Sequence, residues 1–393
     1  MSKQYIAKSI EKMPTSGIRK FFDVVSTMEG VISLGVGEPD FETPWHVREE
    51  AITSIEKGKT AYTSNQGMVP LRQAIADYLY EKYDIKYDAE KEVLITVGAS
   101  EGIDLALRAI CEIGDEVLVV EPSYVSYKPC VVMAGGVPVP LTTKEENDFR
   151  LTVSDIEEKI TDKTKAIILP YPNNPTGAIM EKKDLEAISD IIIKNDLVVI
   201  SDEIYGELTY GRKHVSIASL PGMHERTIVL NGFSKAFAMT GWRLGYAAAP
   251  KPFIKQMTKI HQYIIMCAPT MSQYAGLEAL TSEEREEDID IMREAYDERR
   301  RVMVDGFRNM GLSCFEPMGA FYVLPCIKST GLTSEEFCER LLYEENVAVV
   351  PGTAFGECGE GFIRCSYAYS IESIKGALER IEKFVKRIKN ENN

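Results

Sequence analysis

Thr227-Ile228-Val229-Leu230-Asn231-Gly232-Phe233-Ser234-Lys235-Ala236-Phe237-Ala238-Met239-Thr240-Gly241-Trp242-Arg243 begins as a short apolar run and continues as a small-residue turn carrying a lysine and, further on, an arginine. The apolar run reads as a buried strand. Lys235 then falls just past a strand's carboxyl end, where open α/β sheets place their ligands. A lysine that is desolvated or crowded by positive charge is neutral part of the time and can form an imine, and a fixed cation beside it can hold a phosphate. A phosphorylated aldehyde would suit that pair. Taken alone, one lysine in a chain with 45 Lys and Arg is a solvated surface charge; its neighbours set Lys235 apart.

Working outward, short apolar runs alternate with longer amphipathic ones from about residue 90, the pattern of a mostly parallel sheet covered on both faces. Candidate strands are Val93–Val97, Glu116–Val120, Ala166–Leu169, Leu197–Ser201, Thr227–Leu230 and Leu244–Ala248. Apolar positions recur at helical spacing in Glu101–Ile110, Lys182–Lys194 and Phe253–Ile264. After Leu280 the run Ser282-Glu283-Glu284-Arg285-Glu286-Glu287-Asp288 reads as the solvated face of a long helix through Phe307, with Thr281 and Glu284 matching a capping box. This helix leads into a second domain with Gly319-Ala320-Phe321-Tyr322-Val323 as a strand, a helix started by Thr333 and Glu336, and a final helix from about Ile371. The first forty-odd residues are expected to join it.

At 393 residues the chain can bury a large core, and one large plus one smaller domain is the natural expectation. A net charge of -15 argues against a nucleic-acid or anionic-membrane surface. The eight cysteines form no Cys-x-x-Cys pair, and only four histidines are present, so a structural metal site is not expected. The thiols read as small core residues suited to a reducing cytosol. No apolar run resembles a signal peptide or a bilayer span, which gives a soluble, cytoplasmic expectation. Gly58-Lys59-Thr60 fails as a phosphate loop, because Thr53 stands where the first glycine belongs and the preceding segment is helical.

Other polar residues gather at predicted strand ends. Gly98-Ala99-Ser100-Glu101-Gly102 opens a helix whose backbone N–H groups can approach an anion, although Ser100 alone reads equally well as an N-cap. Pro170-Tyr171-Pro172-Asn173-Asn174-Pro175-Thr176-Gly177 is either a plain turn or a rigid one aiming an Asn amide into the crevice. Asp202-Glu203-Ile204-Tyr205 offers a carboxylate that either caps the following segment or holds a cationic ring nitrogen, with a phenol close behind.

Taken together, Asn-Pro-Thr-Gly at 174–177, Asp-Glu-x-Tyr at 202–205 and Ser-Lys-x-Phe-x-Met-x-Gly-Trp-Arg-x-Gly from Ser234 make the chain resemble the class I/II aminotransferases, fold-type I pyridoxal-phosphate enzymes like aspartate aminotransferase. The resemblance runs from Leu34-Gly35-Val36-Gly37-Glu38-Pro39-Asp40-Phe41 to Phe362-Ile363-Arg364-Cys365-Ser366. It implies an α/β fold with a mostly parallel seven-stranded sheet covered by helices, plus a smaller α+β domain. The division expected is 1–47 joining the small domain, 48–289 as the large cofactor-binding domain, and 290–393 as the small C-terminal domain.

The same resemblance implies that Lys235 carries pyridoxal 5'-phosphate and later moves the substrate proton. It implies that Asp202 pairs with the ring nitrogen, that Tyr205 and Asn174 hydrogen-bond the ring oxygen, and that Tyr124 stacks on the ring. Ala99, Ser100, Ser234 and Arg243 would hold the phosphate side, with Tyr62 reaching in from a second subunit of a homodimer with shared sites. Arg364, helped by Gly37 and Asn174, would grip the substrate α-carboxylate, for which arginine's planar fork is suited. Gly232 stands where some relatives carry a hydroxyl, and Ser100 where some acidic-substrate relatives carry a lysine. Ser100, with Tyr5, Phe21, Phe22 and Tyr322 in segments that could border the pocket, points to a neutral or aromatic donor, with glutamate and 2-oxoglutarate as exchange pair. The rival readings are a pyridoxal-phosphate carbon–sulfur lyase using nearly the same residues, and a non-catalytic cofactor-binding sensor, for which no DNA-binding segment is attached.

Overall fold

The computed structural model describes residues 5–13 and 28–391. Among these, the strands in chain order are β1 (Ile32–Ser33), β2 (Val93–Thr96), β3 (Glu116–Glu121), β4 (Val137–Thr142), β5 (Thr164–Leu169), β6 (Val198–Asp202), β7 (Thr227–Gly232), β8 (Gly245–Ala248), β9 (Tyr322–Val323), β10 (Val347–Ala348), β11 (Val350–Pro351) and β12 (Ile363–Ser366). Seven of them form one sheet in the order β2-β8-β7-β6-β5-β3-β4.

Each central strand is apolar on both sides because both faces are covered. Leu94, Val119, Ile168, Ile200, Leu230 and Ala247 pack on one face with Leu105, Ile254 and Met257 from helices Gly98–Ile110 and Lys251–Ile264. Alternate residues such as Val120, Leu169 and Val199 turn to the other face, against Leu185, Ile188 and Ile192 of helix Lys182–Lys194. Strand β4 was not anticipated from sequence. Its Pro138 and Pro140 weaken any strand reading, yet it is an edge strand paired only with β3, where missing N–H donors are tolerated.

Strands β3, β5, β6 and β7 pair in parallel, whereas β8 runs antiparallel to both β7 and β2. That one reversal matters for the site. The loop from β7 to β8 leaves and re-enters the sheet at the same edge, so Lys235 and Arg243 stand at the edge where β2, β5 and β6 deliver the start of helix Gly98–Ile110, the turn 170–177 and Asp202.

Helix Arg285–Asn309 leads to a three-stranded antiparallel sheet, β11-β12-β9, packed with helices Ser334–Glu345 and Ile371–Glu391. β1 pairs in parallel with β10, tying residues 32–33 to this C-terminal part. The capping box of Thr333 and Glu336 forms as expected. The one expected at Thr281 and Glu284 does not: Thr281 ends helix Thr270–Thr281 and its hydroxyl donates back to the Leu277 carbonyl, while Glu284 precedes the next helix without a side-chain cap. The strand expected at 319–323 is shortened to β9, because Ala320 takes φ 57° and breaks the extended run. Residues 45–56 are helical, consistent with rejecting a phosphate loop there.

Candidate active site

Lys235 sits in the turn after β7, its Nζ donating to the Gly37 carbonyl at 2.7 Å and lying 5.8 Å from the Tyr205 ring and 5.5 Å from the Phe321 ring. Burial pushes its pKa down to about 8, with Arg364 and Arg243 lowering it further against the pull of Glu38 and Asp202. A lysine so placed is neutral part of the time near physiological pH, the condition for nucleophilic attack on a carbonyl.

Asp202 ends β6 with 5% exposure. Its carboxylate accepts from the Tyr127 hydroxyl at 2.8 Å and from the Ile204 N–H at 3.3 Å. Desolvation raises its pKa to about 6 even against those two donors. Tyr127 was not foreseen from the sequence. It opens the short helix Tyr127–Met133 and packs edge-on against Tyr124, so it braces an acid and an aromatic of the site together. The only hint in the sequence was its position one helical turn beyond Tyr124.

The turn 170–177 separates its two asparagines by role. Asn173 is spent inside the turn, accepting from the Thr176 N–H and hydroxyl and donating to the Pro122 carbonyl. Asn174 faces the crevice and accepts from Arg364 Nη1 at 3.0 Å. Arg364, on β12 and 3% exposed, also donates to the Gly35 carbonyl and lies between the rings of Tyr322 and Phe355 at 4.6 and 4.7 Å. Its Nε has no partner, and no carboxylate lies within ion-pair distance among the described residues. A buried guanidinium without an acid is costly unless a ligand supplies one.

At the start of helix Gly98–Ile110, Gly98 takes φ 72° and the Arg243 guanidinium occupies the space a side chain at 98 would need. Ser100 is exposed within the first turn and is not the N-cap, which is Val97 with no side-chain cap bond. The helix start is instead braced by Glu101, which accepts from the Val97 N–H at 2.5 Å and meets the buried His261 at 2.7 Å. First-turn N–H groups beside an arginine form a site for a phosphate. Position 232 leaves little room for the hydroxyl carried by some relatives, since a Cβ there would press to 3.0 Å on Gly245 and on the Leu244 carbonyl. Ser234 is buried, and Tyr124 is half-buried. Tyr62 stays outside the cluster within its own chain, 80% exposed. Among the described residues no group of acids, histidines and cysteines is arranged to hold a metal, and no helix is long and apolar enough to cross a membrane.

Known proteins carry the same sequence and architecture. The family model for aminotransferase class I and II matches residues 29–381. A putative aminotransferase, YugH, of Bacillus subtilis is 51% identical, covering 97% of this chain and 98% of that protein. An aspartate aminotransferase of Pyrococcus abyssi is 49% identical over 95% of this chain and 96% of its own length. The crystal structure of an aromatic aminotransferase from Pyrococcus horikoshii superposes with a TM-score of 0.90 at 46% identity, covering 94% of this chain and 99% of that one. The chain belongs to the class I and II aminotransferases. It is a pyridoxal-phosphate-dependent enzyme of fold type I that acts on amino and 2-oxo acids.

Proposed function

We propose that the enzyme is an amino-acid:2-oxo-acid aminotransferase whose best donor is a neutral or aromatic amino acid, exchanging through glutamate and 2-oxoglutarate. The observation that carries the amino-acid reading is Arg364, a buried cation with a bare Nε and no acid of its own. For the donor side chain the support is Ser100, exposed and uncharged where a lysine would favour a second carboxylate, and the aromatic ring of Tyr322 beside Arg364. Tyr5 is 83% exposed on its own chain, and Phe21 and Phe22 lie outside the described residues.

The residues present fit the cofactor: a depressed lysine for the aldehyde, a buried carboxylate for the ring nitrogen, and first-turn N–H groups with Arg243 for the phosphate. When bound, pyridoxal phosphate supplies a carbonyl for covalent attachment and a conjugated ring that accepts electron density from the substrate's α-carbon. In this reading Lys235 holds the cofactor and then, as a free amine, takes and returns the α-proton. Asp202 would keep the ring nitrogen protonated, Tyr205 and Asn174 would donate to the ring oxygen, and Tyr124 would cover one ring face. Ala99, Ser100, Ser234 and Arg243 fix the phosphate. Arg364, with Gly37 and Asn174, orients the substrate carboxylate so that the α-proton faces Lys235.

The same proposal makes the enzyme a cytoplasmic homodimer divided at about residues 47 and 289. Its eight cysteines are free. Trp45, Ile52, Ile55, Tyr62, Tyr263 and Ile264 are exposed, and the Asn65 side chain ties the Tyr62 turn to the Met266 carbonyl; in this reading a second copy would cover the Tyr62 turn. Hybrids of Tyr62→Phe and Lys235→Ala chains should regain activity if Tyr62 serves the partner's site. Initial rates with phenylalanine, tyrosine, methionine, alanine and aspartate against 2-oxoglutarate test the donor. Aspartate leading by a wide margin would overturn the specificity, and pyruvate with ammonia from cystathionine without an oxo-acid would indicate the lyase.

A further inference from the structure

Tyr322 has had no part so far beyond lining the pocket, yet it touches three functional groups at once. Its hydroxyl lies 2.9 Å from the Tyr205 hydroxyl, and its ring lies under the Arg364 guanidinium at 4.6 Å. The register explains the second contact. Tyr322 pairs with Ser366 across β9 and β12, which places it diagonally opposite Arg364 on the same face. The first contact depends on residue 37 being glycine, because a Cβ there would collide with the Tyr322 hydroxyl. The Gly37 carbonyl in turn accepts from Lys235. The hydroxyl is thus wedged between Gly37 and Tyr205 in a residue that is 1% exposed.

We propose that Tyr322 is a positioning residue that relays the charge state of the carboxylate clamp, Arg364, to the Tyr205 phenol facing Lys235. The proposal rests on the function assigned above and deepens it.

The direction of the relay follows from electrostatics. Burial raises the pKa of both phenols and the Arg364 guanidinium opposes it at both, but the guanidinium lies directly over the Tyr322 ring. Tyr124 and Tyr369 are the other titratable groups facing Tyr322, and both work the opposite way from Arg364. The cation over its ring favours Tyr322 as the donor of the pair. Donating to Tyr205, it leaves the Tyr205 proton free for the oxygen of the cofactor ring, and a chain of two such bonds strengthens the outer one. A carboxylate bound at Arg364 neutralises the cation over the Tyr322 ring. That weakens the inner bond and, through it, the outer one.

The test uses the holoenzyme and reads the pH midpoint of its visible absorbance band, in the absence and presence of 3-phenylpropanoate, an unreactive carboxylate. Tyr322→Phe keeps the ring on Arg364 and removes only the hydroxyl. Its midpoint is expected to rise by about half a unit or more, because a weaker donor at the ring oxygen favours the protonated form. The shift that 3-phenylpropanoate causes in the wild type should shrink in the variant. Tyr205→Phe should raise the midpoint as well, and the double variant should match Tyr205→Phe alone. KM for the amino donor should stay within about twofold while kcat falls by about three- to tenfold, since the carboxylate grip survives. Gly37→Ala, which displaces the hydroxyl without deleting it, should move the midpoint in the same direction. An unchanged midpoint in Tyr322→Phe, or effects of Tyr322→Phe and Tyr205→Phe that simply add, would overturn the relay while leaving the aminotransferase reading intact. A wild-type holoenzyme with no titrating band would overturn both.

Discussion

Two buried arginines have opposite surroundings. Arg300, on the long helix Arg285–Asn309 and 5% exposed, is saturated: it donates to Asp297, to Glu316 and to the Pro317 carbonyl. Arg364, 3% exposed, meets only an amide oxygen and a peptide carbonyl and keeps a bare Nε. The same contrast recurs among acids that are neighbours in sequence. Glu203 is fully buried and receives Ser201, Ser216 and His214, whereas Asp202 receives one phenol and one distant N–H. Around Arg300 and Glu203 the chain surrounds buried charge with several partners, and buried Arg72, which has no acid in ion-pair reach among the described residues, is met by three peptide carbonyls. At the carboxyl edge of the sheet it leaves a cation, an acid and an amine incompletely satisfied, and these three are the groups a ligand would complete.

Lys235→Ala should break the open side of this contrast most severely. Removing the amine at the sheet edge should lower kcat by about three orders of magnitude or more. Its melting temperature should stay close to the wild type, because the amine's sole hydrogen bond is to the Gly37 carbonyl. Borohydride reduction of the wild-type holoenzyme followed by peptide mass spectrometry should place the adduct on Lys235; an adduct on another lysine would refute the assignment.

The two arginines can be compared directly. Arg364→Ala should retain cofactor but lose about 2–5 kcal/mol of substrate binding, seen as a raised KM for every amino and oxo acid. It should lose little stability, since it deletes a charge the protein leaves unpaired. Arg300→Ala should do the reverse, lowering unfolding free energy by about 2 kcal/mol or more while KM stays unchanged. Urea denaturation and steady-state rates on both variants measure this, and equal effects of the two would erase the distinction.

Asp202 gives a pH-dependent version. Its folded pKa of about 6 stands above the ordinary value of 3.8, so the folded apoprotein binds this proton more tightly than the unfolded chain does. The ionised carboxylate therefore costs stability above pH 6, and the cost fades as pH falls from 6 toward 3.8. At roughly 1.4 kcal/mol per unit, apo Asp202→Asn should exceed the wild type by up to about 3 kcal/mol at pH 8, with the gap closing near pH 4. The same variant should lose activity once loaded. A stability gap that widens toward acid would contradict the assignment.

The sequence disclosed the site better than it disclosed the frame around it, for physical reasons. Lys235, Asp202 and Asn174 are polar residues at or just past the ends of apolar runs, a pattern written locally, whereas Arg364 lies within a strand and was singled out by the family resemblance. The reversal of β8 and the edge strand β4 depend on which strands neighbour each other, which no local run encodes, and Pro138 and Pro140 actively disguise β4. Thr281 and Glu284 have capping-box spacing, but the apolar face of helix Thr270–Thr281 carries it through Thr281 and leaves no hydroxyl to cap the next. Tyr127, Tyr322 and the His261–Glu101 brace act through partners between 75 and 160 positions away, so their roles exist only in the folded chain.

Tyr127 supplies the smallest and most discriminating effect. Its hydroxyl is the shorter of the two donors on Asp202, and it holds the carboxylate's pKa below where burial alone would put it. Tyr127→Phe should therefore raise the Asp202 pKa further. The missing bond matters only while Asp202 is ionised, so the apoprotein should lose about 1–2 kcal/mol above pH 7 and much less near pH 5. In Asp202→Asn the carboxylate is already gone, and adding Tyr127→Phe to it should remove the pH dependence of the loss though not all of the loss itself. Chemical denaturation of the four apoproteins at the two pH values completes the cycle. A loss from Tyr127→Phe that is equal at both pH values would make Tyr127 a packing residue for Tyr124 alone. A loss larger at high pH, whose pH dependence disappears in the Asp202→Asn background, would place it with the site, as a group that braces a carboxylate the protein leaves incompletely satisfied.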